Sequence, residues 1–436
     1  MKLLRFSAPL TAAVADSRRQ TALSVESRAE KSGFAVGVRV FSDYAADPLT
    51  LMAPGLPEGA DLALLVLPWR IELWANGRLT DEEWPSGSLF LSDVSAEAWR
   101  AAGISVTSDP NDNDRANLPL RAPDFSTDCG ISANDAPERI IGQLLSENGE
   151  NPAEGWRPRD PGVFAGDCMP YTDTDPDGVE RYHVLYLKDR RHHRSKWHKG
   201  AHQWAHMSTR DFKNWDLHPL AVSIDDPSEG SICTGSWLKT ADGAHCLYYT
   251  VRQIDNSSAP ILRSVSEDGY AFRRDPAFCI TLSDRYHGPS ARDPKIVRAG
   301  DGVYHMFVTT SLMTGDFAGR GCLAHLISRD GKTWEEREPI YISPDGDQPE
   351  CSDYFAKNGW YYLIFSHRGR GQYRISRKPF SDWRMPERSD IPCESVPKMA
   401  LWNGRILFTG FHRIEGYAGT LTFTEAWQDP DGSLRF

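Results

Sequence analysis

The 436-residue sequence has no apolar run long enough to cross a bilayer. The longest, LALLVLPW at 62–69, falls far short of the roughly 20 residues that a spanning helix needs. Basic residues are not in excess either, because 49 Lys and Arg oppose 60 Asp and Glu and leave a net charge of −11. This balance argues against nucleic acid or an anionic membrane as a partner. It favours a soluble, acidic enzyme that acts on neutral substrates.

Paired cysteine motifs are also missing. The eight cysteines are scattered singly, without the C-x-x-C spacing of a zinc site or the density of a small secreted scaffold. Reduced thiols in a cytoplasmic protein are the simplest interpretation, and we expect neither a metal nor another cofactor. The N-terminus has a basic start and an A-x-A-like ending, but Arg5 and Pro9 interrupt its apolar stretch. We therefore expect it to be a strand of the mature protein.

The length predicts two domains. Residues 1–94 read as short strands separated by Gly, Pro, Asn and Asp, with Asn76-Gly77 as a hairpin turn, and this pattern favours a β-sandwich. Residues 95–160 are polar, rich in Pro, Asp and Asn and without a period, except for a short helical pattern at 136–147. They are predicted to be a linker that packs over the domains.

Residues 161–436 repeat one pattern five times. A turn containing glycine leads into an aromatic strand, as in the segments DGVERYHVLYL, DGAHCLYYT, DGVYHMFVT, NGWYYLIFS and NGRILFTG. An S-x-x-(D/E)…W element follows several of these strands after about 15 to 20 residues. Recurrent hairpins of this kind predict radial β repeats. The expected fold is all-β, a five-bladed β-propeller at 161–436 preceded by the N-terminal sandwich.

Three carboxylates precede the aromatic strands of different repeats: Asp167 in FAGDCMPY, Asp293 in SARDPKIV and Glu350 in QPECSDYF. Any one of them alone fits a turn residue that caps a backbone N–H. Three at comparable places in one repeat array indicate a shared site near the propeller axis. Paired carboxylates are the usual apparatus of glycoside hydrolysis, in which one attacks or activates water and the other protonates the leaving oxygen. Glu350, beside Pro349, Cys351 and an aromatic strand, is a candidate proton donor.

These segments resemble glycoside hydrolase family 32, the five-bladed fructosidases of the invertase and levanase group. RDPKI and PECSDYF are similar to its RDP and EC blocks, and YHVLY followed by HQWAHMSTRDFKNW to a further block. EGSICTGS is similar to its G-x-x-SGS block, so that the resemblance covers 161–436 in the right order. That family usually carries a β-sandwich after the propeller, whereas here the sandwich-like segment comes first.

The resemblance implies that Asp167 is the nucleophile, Glu350 the general acid/base and Asp293 a transition-state stabiliser, with Arg292 beside it. It also implies an exo-acting, retaining hydrolase of a β-fructofuranoside. The first block departs from the family pattern N-D-P-N-G, because Gly166 and Met169 replace its two asparagines. Leu187-Lys188 stands where the family has a glutamine. A site built to pair sugar hydroxyls discriminates strongly, so these changes leave the sugar open.

Several further residues are predicted to bind substrate. The histidine-rich stretch 188–206 has no helical pair of metal ligands. Its Lys188, Trp204 and His206 are candidate pocket residues, and an ordinary solvated loop is the alternative interpretation of the stretch. Trp237 is either a core residue or a platform for a sugar ring. Asp353 either orients substrate or caps a strand.

Other functions remain compatible with the sequence. The same carboxylate trio suits an inverting arabinofuranosidase or xylosidase of the related family 43. A fructosyl transferase, a difructose anhydride-forming enzyme and a non-catalytic glycan-binding protein are further alternatives. In each case we expect the partner to be a small oligosaccharide or glycoside, and the sequence does not indicate an oligomeric state.

Overall fold

The structure is a computed structural model that describes residues 2–30, 33–41, 48–66, 71–83, 89–108, 163–190, 202–212, 215–222, 229–253, 255–392, 395–414 and 417–436. Strands dominate these residues, and their only α-helix, α1, spans Ala96–Ala101. The all-β prediction is therefore confirmed for this part of the chain. The chain divides into two compact units, Met1–Ile131 and Ser132–Phe436. The helical pattern at 136–147 and most of the predicted linker lie outside the described residues.

The N-terminal unit contains two antiparallel sheets. One has the order β8-β7-β6-β1-β9, and the other runs β2-β3-β4-β5. The strands are β1 (Lys2–Ser7), β2 (Ala12–Ala15), β3 (Thr21–Glu30), β4 (Gly33–Val40), β5 (Leu49–Leu56), β6 (Asp61–Val66), β7 (Ile71–Ala75), β8 (Arg78–Glu83) and β9 (Ser105–Ser108). Side chains of both sheets, among them Leu4, Leu64, Val25 and Val38, share one buried core.

Local sequence explains two features of this unit. Asn76 and Gly77 both have positive φ, 50° and 76°, as a two-residue hairpin turn between β7 and β8 requires. The strand β9 pairs with β1 through Lys2↔Ser108. The unit therefore continues beyond residue 94, where the sequence analysis ended the sandwich, to at least Ser108.

In the described part of the second unit, the strands form five consecutive antiparallel groups. The first group contains β10 (Val163–Thr174), β11 (Glu180–Arg190), β12 (Gln203–Thr209) and β13 (Trp215–Val222), and the second contains β14 (Glu229–Lys239), β15 (His245–Gln253), β16 (Ile261–Ser266) and β17 (Arg273–Ile280). The third contains β18 (Arg292–Arg298), β19 (Tyr304–Ser311), β20 (Gly321–Ser328) and β21 (Glu335–Ile342). The fourth contains β22 (Glu350–Lys357), β23 (Trp360–His367) and β24 (Arg370–Ser376). The fifth is β25 (Ser395–Trp402), β26 (Arg405–Arg413) and β27 (Gly419–Gln428), with β28 (Leu434–Arg435) paired to β27. The first and fifth groups meet through the pair Ala165↔Gly419.

The five repeats recognised in the sequence are the hairpins between the first two strands of each group. The glycine of each turn has positive φ, between 73° and 92°, which explains why the repeat requires glycine there: Gly178, Gly243, Gly302, Gly359 and Gly404. The aromatic strands that follow are β11, β15, β19, β23 and β26, and they supply much of the buried core.

The first strand of every group is interrupted at the same place by a β-bulge. Pairing with the second strand skips two residues, between Ala165 and Cys168, Ile232 and Gly235, Arg292 and Lys295, Glu350 and Asp353, and Ser395 and Lys398. Bulges bend a strand and redirect its side chains. In this chain they carry the predicted carboxylates.

Candidate active site

The bulges bring the three carboxylates together. Asp167 lies within the bulge of β10, Asp293 within that of β18, and Glu350 is the last paired residue before the bulge of β22. The thiol of Cys351 connects two of them, with Sγ 3.7 Å from Asp167 Oδ2 and 3.5 Å from Asp293 Oδ2. The three carboxylates occupy neighbouring places in their bulges, each offset from the next, rather than one repeated position.

Asp293 is buried and held on all sides. Its φ of 55° is unusual for a residue with a side chain and follows from the bulge geometry. Thr234 Oγ1 donates to Oδ1 at 2.7 Å, and the backbone N–H of Cys351 donates to Oδ2 at 3.0 Å. Arg292 Nε lies 3.5 Å from Oδ2. These contacts fix the orientation of the carboxylate.

Asp167 has a more strained electrostatic environment. Burial raises the pKa of its carboxyl, and the charges of Asp293 and Glu350 raise it further. A hydrogen bond with Tyr417 and the proximity of His202 oppose this rise in pKa. Its Oδ1 is buried without a hydrogen-bond partner among the described residues. A buried acceptor left unpaired is costly, and such groups are concentrated at functional sites.

Glu350 is half exposed, with 50% of its side chain accessible. Arg292 Nη2 donates to its Oε1 at 2.8 Å, while Arg292 Nη1 donates to the carbonyl of Ser290 at 2.9 Å and also to the side-chain oxygen of Gln348. Gln348 is itself fixed by donating to the hydroxyl of Ser311 at 2.6 Å. The buried Arg292 side chain thus fixes the position of the accessible Glu350 carboxylate.

Three of the predicted substrate-binding residues lie in other environments. Trp204 is fully buried, and its Nε1 donates to the carbonyl of Cys233 at 3.0 Å, so it is a core residue. Asp353 is buried and forms an ion pair with Lys295 at 2.6 Å. Trp237 stacks on Tyr171 at 4.4 Å between ring centroids. Asp353 and Trp237 line a cavity of about 270 Å³ formed largely by residues that follow the bulges along the strands.

His206 belongs to a buried stack of rings that we call the histidine–aromatic stack, composed of Tyr171, His183, His206 and Trp237. His206 Nε2 lies 3.0 Å from His183 Nδ1 and 3.3 Å from the Tyr171 hydroxyl. Burial lowers the pKa of both histidines well below the usual value, and nearby positive groups lower it further. They are therefore neutral packing residues at ordinary pH.

The remaining sequence-predicted residue, Lys188, lies on β11 as the partner of Ala165, next to the first bulge. Residues 191–201 of the histidine-rich stretch lie outside the described residues. Among those that are described, the group that best matches a metal site is Asp345, Asp347 and His367. Arg368 already bridges both of these aspartates, at 2.7 and 2.8 Å.

Sequence reasoning missed four groups that complete the site. Thr234 lies inside the EGSICTGS segment, and Gln348 opens the QPECSDY segment, so both had a motif to indicate them. Cys351 was noted only as a neighbour of Glu350. Tyr417, whose hydroxyl accepts the N–H of Asp167 at 3.1 Å, is 250 residues away in the sequence and carries no local signal.

Comparison with known proteins agrees with this geometry. Residues 174–377, which include Asp293 and Glu350 but begin after Asp167, match the Glycosyl hydrolases family 32 N-terminal domain. A sucrose-6-phosphate hydrolase of Vibrio alginolyticus is 27% identical over 177 residues, 39% of this chain and 34% of the relative. A probable sucrose-6-phosphate hydrolase of Psychromonas ingrahamii is 25% identical over 280 residues, 59% and 45% of the two chains. This chain thus spans about a third to a half of the length of these relatives.

Solved structures share the fold at lower identity. Fructan 1-exohydrolase IIa of Cichorium intybus in complex with 1-kestose superimposes with a TM-score of 0.52 at 16% identity, over 66% of this chain and 60% of that one. Bacillus subtilis levansucrase gives a TM-score of 0.50 at 13% identity, over 70% and 94%. The match of residues 174–377 to the family 32 N-terminal domain supports a glycoside hydrolase family 32-like assignment, and the solved structures share the fold.

Proposed function

We propose that the protein is an exo-acting glycoside hydrolase that cleaves a β-fructofuranoside with retention of configuration. The observation that carries the proposal is the convergence of three carboxylates at strand bulges: the Cys351 thiol bridges Asp167 and Asp293, and Arg292 donates to Glu350. Like charges brought together in this way repel one another and lower the stability of the fold. Such clusters are typical of functional sites. The family 32 domain match and the names of the relatives indicate which chemistry this is.

In the proposed mechanism Asp167 attacks the anomeric carbon of the fructosyl unit while Glu350 protonates the leaving oxygen. Glu350 then takes a proton from water, which displaces the sugar from Asp167. The environments of the two carboxylates suit these roles, because Asp167 is partly buried beside two other carboxylates whereas half of the Glu350 side chain is exposed to solvent. Asp293, fixed by Thr234 and Cys351, is positioned to bind sugar hydroxyls in the transition state.

The same proposal includes the finer architecture. The five groups of strands, each with a bulge on its first strand, support a five-bladed β-propeller with the site at the axis. The two sheets around one core in the N-terminal unit support a β-sandwich. We also propose a small oligosaccharide or glycoside as the substrate and the cytoplasm as the location; the six cysteines of the described part of the chain are all free thiols. No helix in the described ranges is long and apolar enough to span a membrane.

The test is an NMR time course of product release by the wild type and Glu350→Gln. Substrates are sucrose, sucrose 6-phosphate, inulobiose, levanbiose, and aryl arabinofuranosides and xylosides. Glu338→Gln is the control, because Glu338 is an exposed glutamate on β21 whose carboxylate accepts a hydrogen bond from Arg285 at 3.0 Å. We expect release of β-configured fructose that is lost in Glu350→Gln and kept in the control. Release of an inverted pentose would replace the proposal with the family 43 alternative.

A further inference from the structure

Tyr417 is a polar neighbour of the proposed nucleophile that belongs to no recognised motif. It lies just before β27, where a backbone hydrogen bond from Ile414 to Ala418 at 3.0 Å closes the loop. The next residue, Gly419, pairs with Ala165, so this loop is attached to β10 directly beside the Asp167 bulge. The ring packs against Phe411 and His202 at centroid distances of 5.5 and 5.2 Å.

The hydroxyl of Tyr417 lies against Asp167. Its oxygen accepts the backbone N–H of Asp167 at 3.1 Å, and the phenol beside it lowers the pKa of the Asp167 carboxyl. Burial and the adjacent carboxylate raise the pKa of Tyr417 well above its usual value. The phenol therefore keeps its proton at ordinary pH and is able to donate it to the carboxylate.

Gly166 makes room for this arrangement. A Cβ at position 166 would lie 2.7 Å from the Tyr417 hydroxyl oxygen and 2.9 Å from Cε1, distances that real Cβ atoms essentially never show. The φ of Gly166 is not in the left-handed region, so the requirement for glycine comes from the tyrosine and not from the backbone. The glycine that replaces the first asparagine of the family pattern is thus linked to the position of Tyr417, because a larger residue at 166 would collide with the tyrosine.

We infer that Tyr417 is a positioning residue that orients Asp167 for nucleophilic attack, in a space that Gly166 leaves open. The inference rests on the proposed function for the role of Asp167 as nucleophile. The contact between the two residues stands independently of it.

The charges around Asp167 show why such a donor is needed. From β18 come Asp293 and the Arg292 guanidinium, and from β22 come Glu350 and the Cys351 thiol. Preceding β12, His202 Nε2 lies 2.9 Å from the Asp189 carboxylate of β11. Burial, Asp293 and Glu350 all favour the protonated form of Asp167, which cannot attack. Tyr417 and His202 oppose them.

The experiment compares the wild type with Tyr417→Phe, which keeps the ring and removes the hydroxyl. The titration of Asp167 is followed by NMR in protein labelled with ¹³Cγ-aspartate, its signal being assigned from Asp167→Asn. The acid limb of kcat/KM is measured in parallel. We expect the pKa of Asp167 and the acid limb to move up by about one unit, so that kcat/KM falls about tenfold on that limb. Tyr182→Phe is the control, since it removes another buried hydroxyl of the same sheet that bonds Thr409 at 2.7 Å.

A second variant tests the space rather than the hydroxyl. Gly166→Ala displaces the Tyr417 side chain, so it shifts the Asp167 titration in the same direction and adds no further shift in a Tyr417→Phe background. An unchanged Asp167 titration in Tyr417→Phe, or one that Tyr182→Phe reproduces, overturns the inference. A shifted titration in a protein that hydrolyses no fructoside supports the contact and contradicts the proposed function instead.

Discussion

The carboxylate site and the histidine–aromatic stack are two polar clusters that meet on strand β10, which carries Asp167 and Tyr171, and they differ in their electrostatics. In the stack, burial keeps His183 and His206 neutral, and Tyr171 packs face to face with His183 and with Trp237. At the carboxylate site, like charges lie close together, and burial and these charges raise the pKa of the Asp167 carboxyl. The first arrangement favours stability, whereas the second opposes stability and is typical of a reactive site.

The strongest way to test this contrast is Asp167→Asn. We expect kcat/KM to fall by about 10⁴-fold or more, because the proposed nucleophile is lost. The free energy of unfolding should stay equal or rise, since a buried carboxylate is removed from beside two others. Kinetics and urea denaturation measure the two effects. Asp173→Asn, on the same strand and paired with Lys239 at 2.8 Å, is the control and should leave turnover intact.

Asp353→Asn should show the opposite pattern. Asp353 is buried and pairs with Lys295, so the substitution leaves an unpaired ammonium and lowers the free energy of unfolding by about 3 kcal/mol. Its contacts are structural, including acceptance of the Met399 N–H at 2.8 Å, so KM should not change. A raised KM with normal stability would restore the substrate-binding role that the sequence left open.

Arg292→Lys sharpens the account of how the site is held. A lysine cannot donate simultaneously to Glu350, Gln348 and the Ser290 carbonyl, as the planar guanidinium does. We expect kcat/KM to fall on the order of 10- to 100-fold, the cost of about one or two hydrogen bonds to charged groups. Steady-state kinetics at fixed pH measures the loss, and unchanged activity would show that Glu350 needs no support.

The stack predicts an acid sensitivity with no counterpart in turnover. The folded pKa values of His183 and His206 lie well below 6.5, so the unfolded chain takes up protons below that pH while the folded chain does not. The stability that they contribute is therefore present above pH 6.5 and lost as pH falls below it, by up to about 2 kcal/mol per histidine at pH 5. His206→Phe should flatten the dependence of Tm on pH over this range. A dependence of Tm on pH in His206→Phe that is identical to that of the wild type would contradict the role of this histidine in acid sensitivity.

Local patterns predicted most of the fold and part of the site. The five glycine turns, the aromatic strands and the Asn76-Gly77 hairpin depend on neighbouring residues, and the structure contains each of them. Asp293, Glu350 and Arg292 lie within short motifs, and the structure places them together. Strand β9 was missed because its pairing with β1 joins residues about 100 positions apart.

Three of the residues predicted to bind substrate have their described contacts elsewhere than with the carboxylates, for a common reason. His206, Trp204 and Trp237 are polar or aromatic residues of types common in sugar-binding pockets, but alternation along a strand decides which face each side chain occupies, and bulges shift that alternation. Tyr417 was not predicted as a site residue, because its contact depends on tertiary structure and not on local sequence. Its contact with Asp167 arises where the first and last groups of strands meet, and nothing near residue 417 encodes that meeting.

The most direct test of the central claim is to trap the glycosyl-enzyme. Glu350→Gln is incubated with a β-fructofuranosyl fluoride, whose leaving group needs no general acid, and the quenched protein is digested and mapped by mass spectrometry. The account predicts one hexosyl unit attached to the peptide that contains Asp167 and none in the Asp167→Asn/Glu350→Gln variant. A hexosyl unit on another carboxylate, or turnover of the fluoride with inversion and without any adduct, would contradict it.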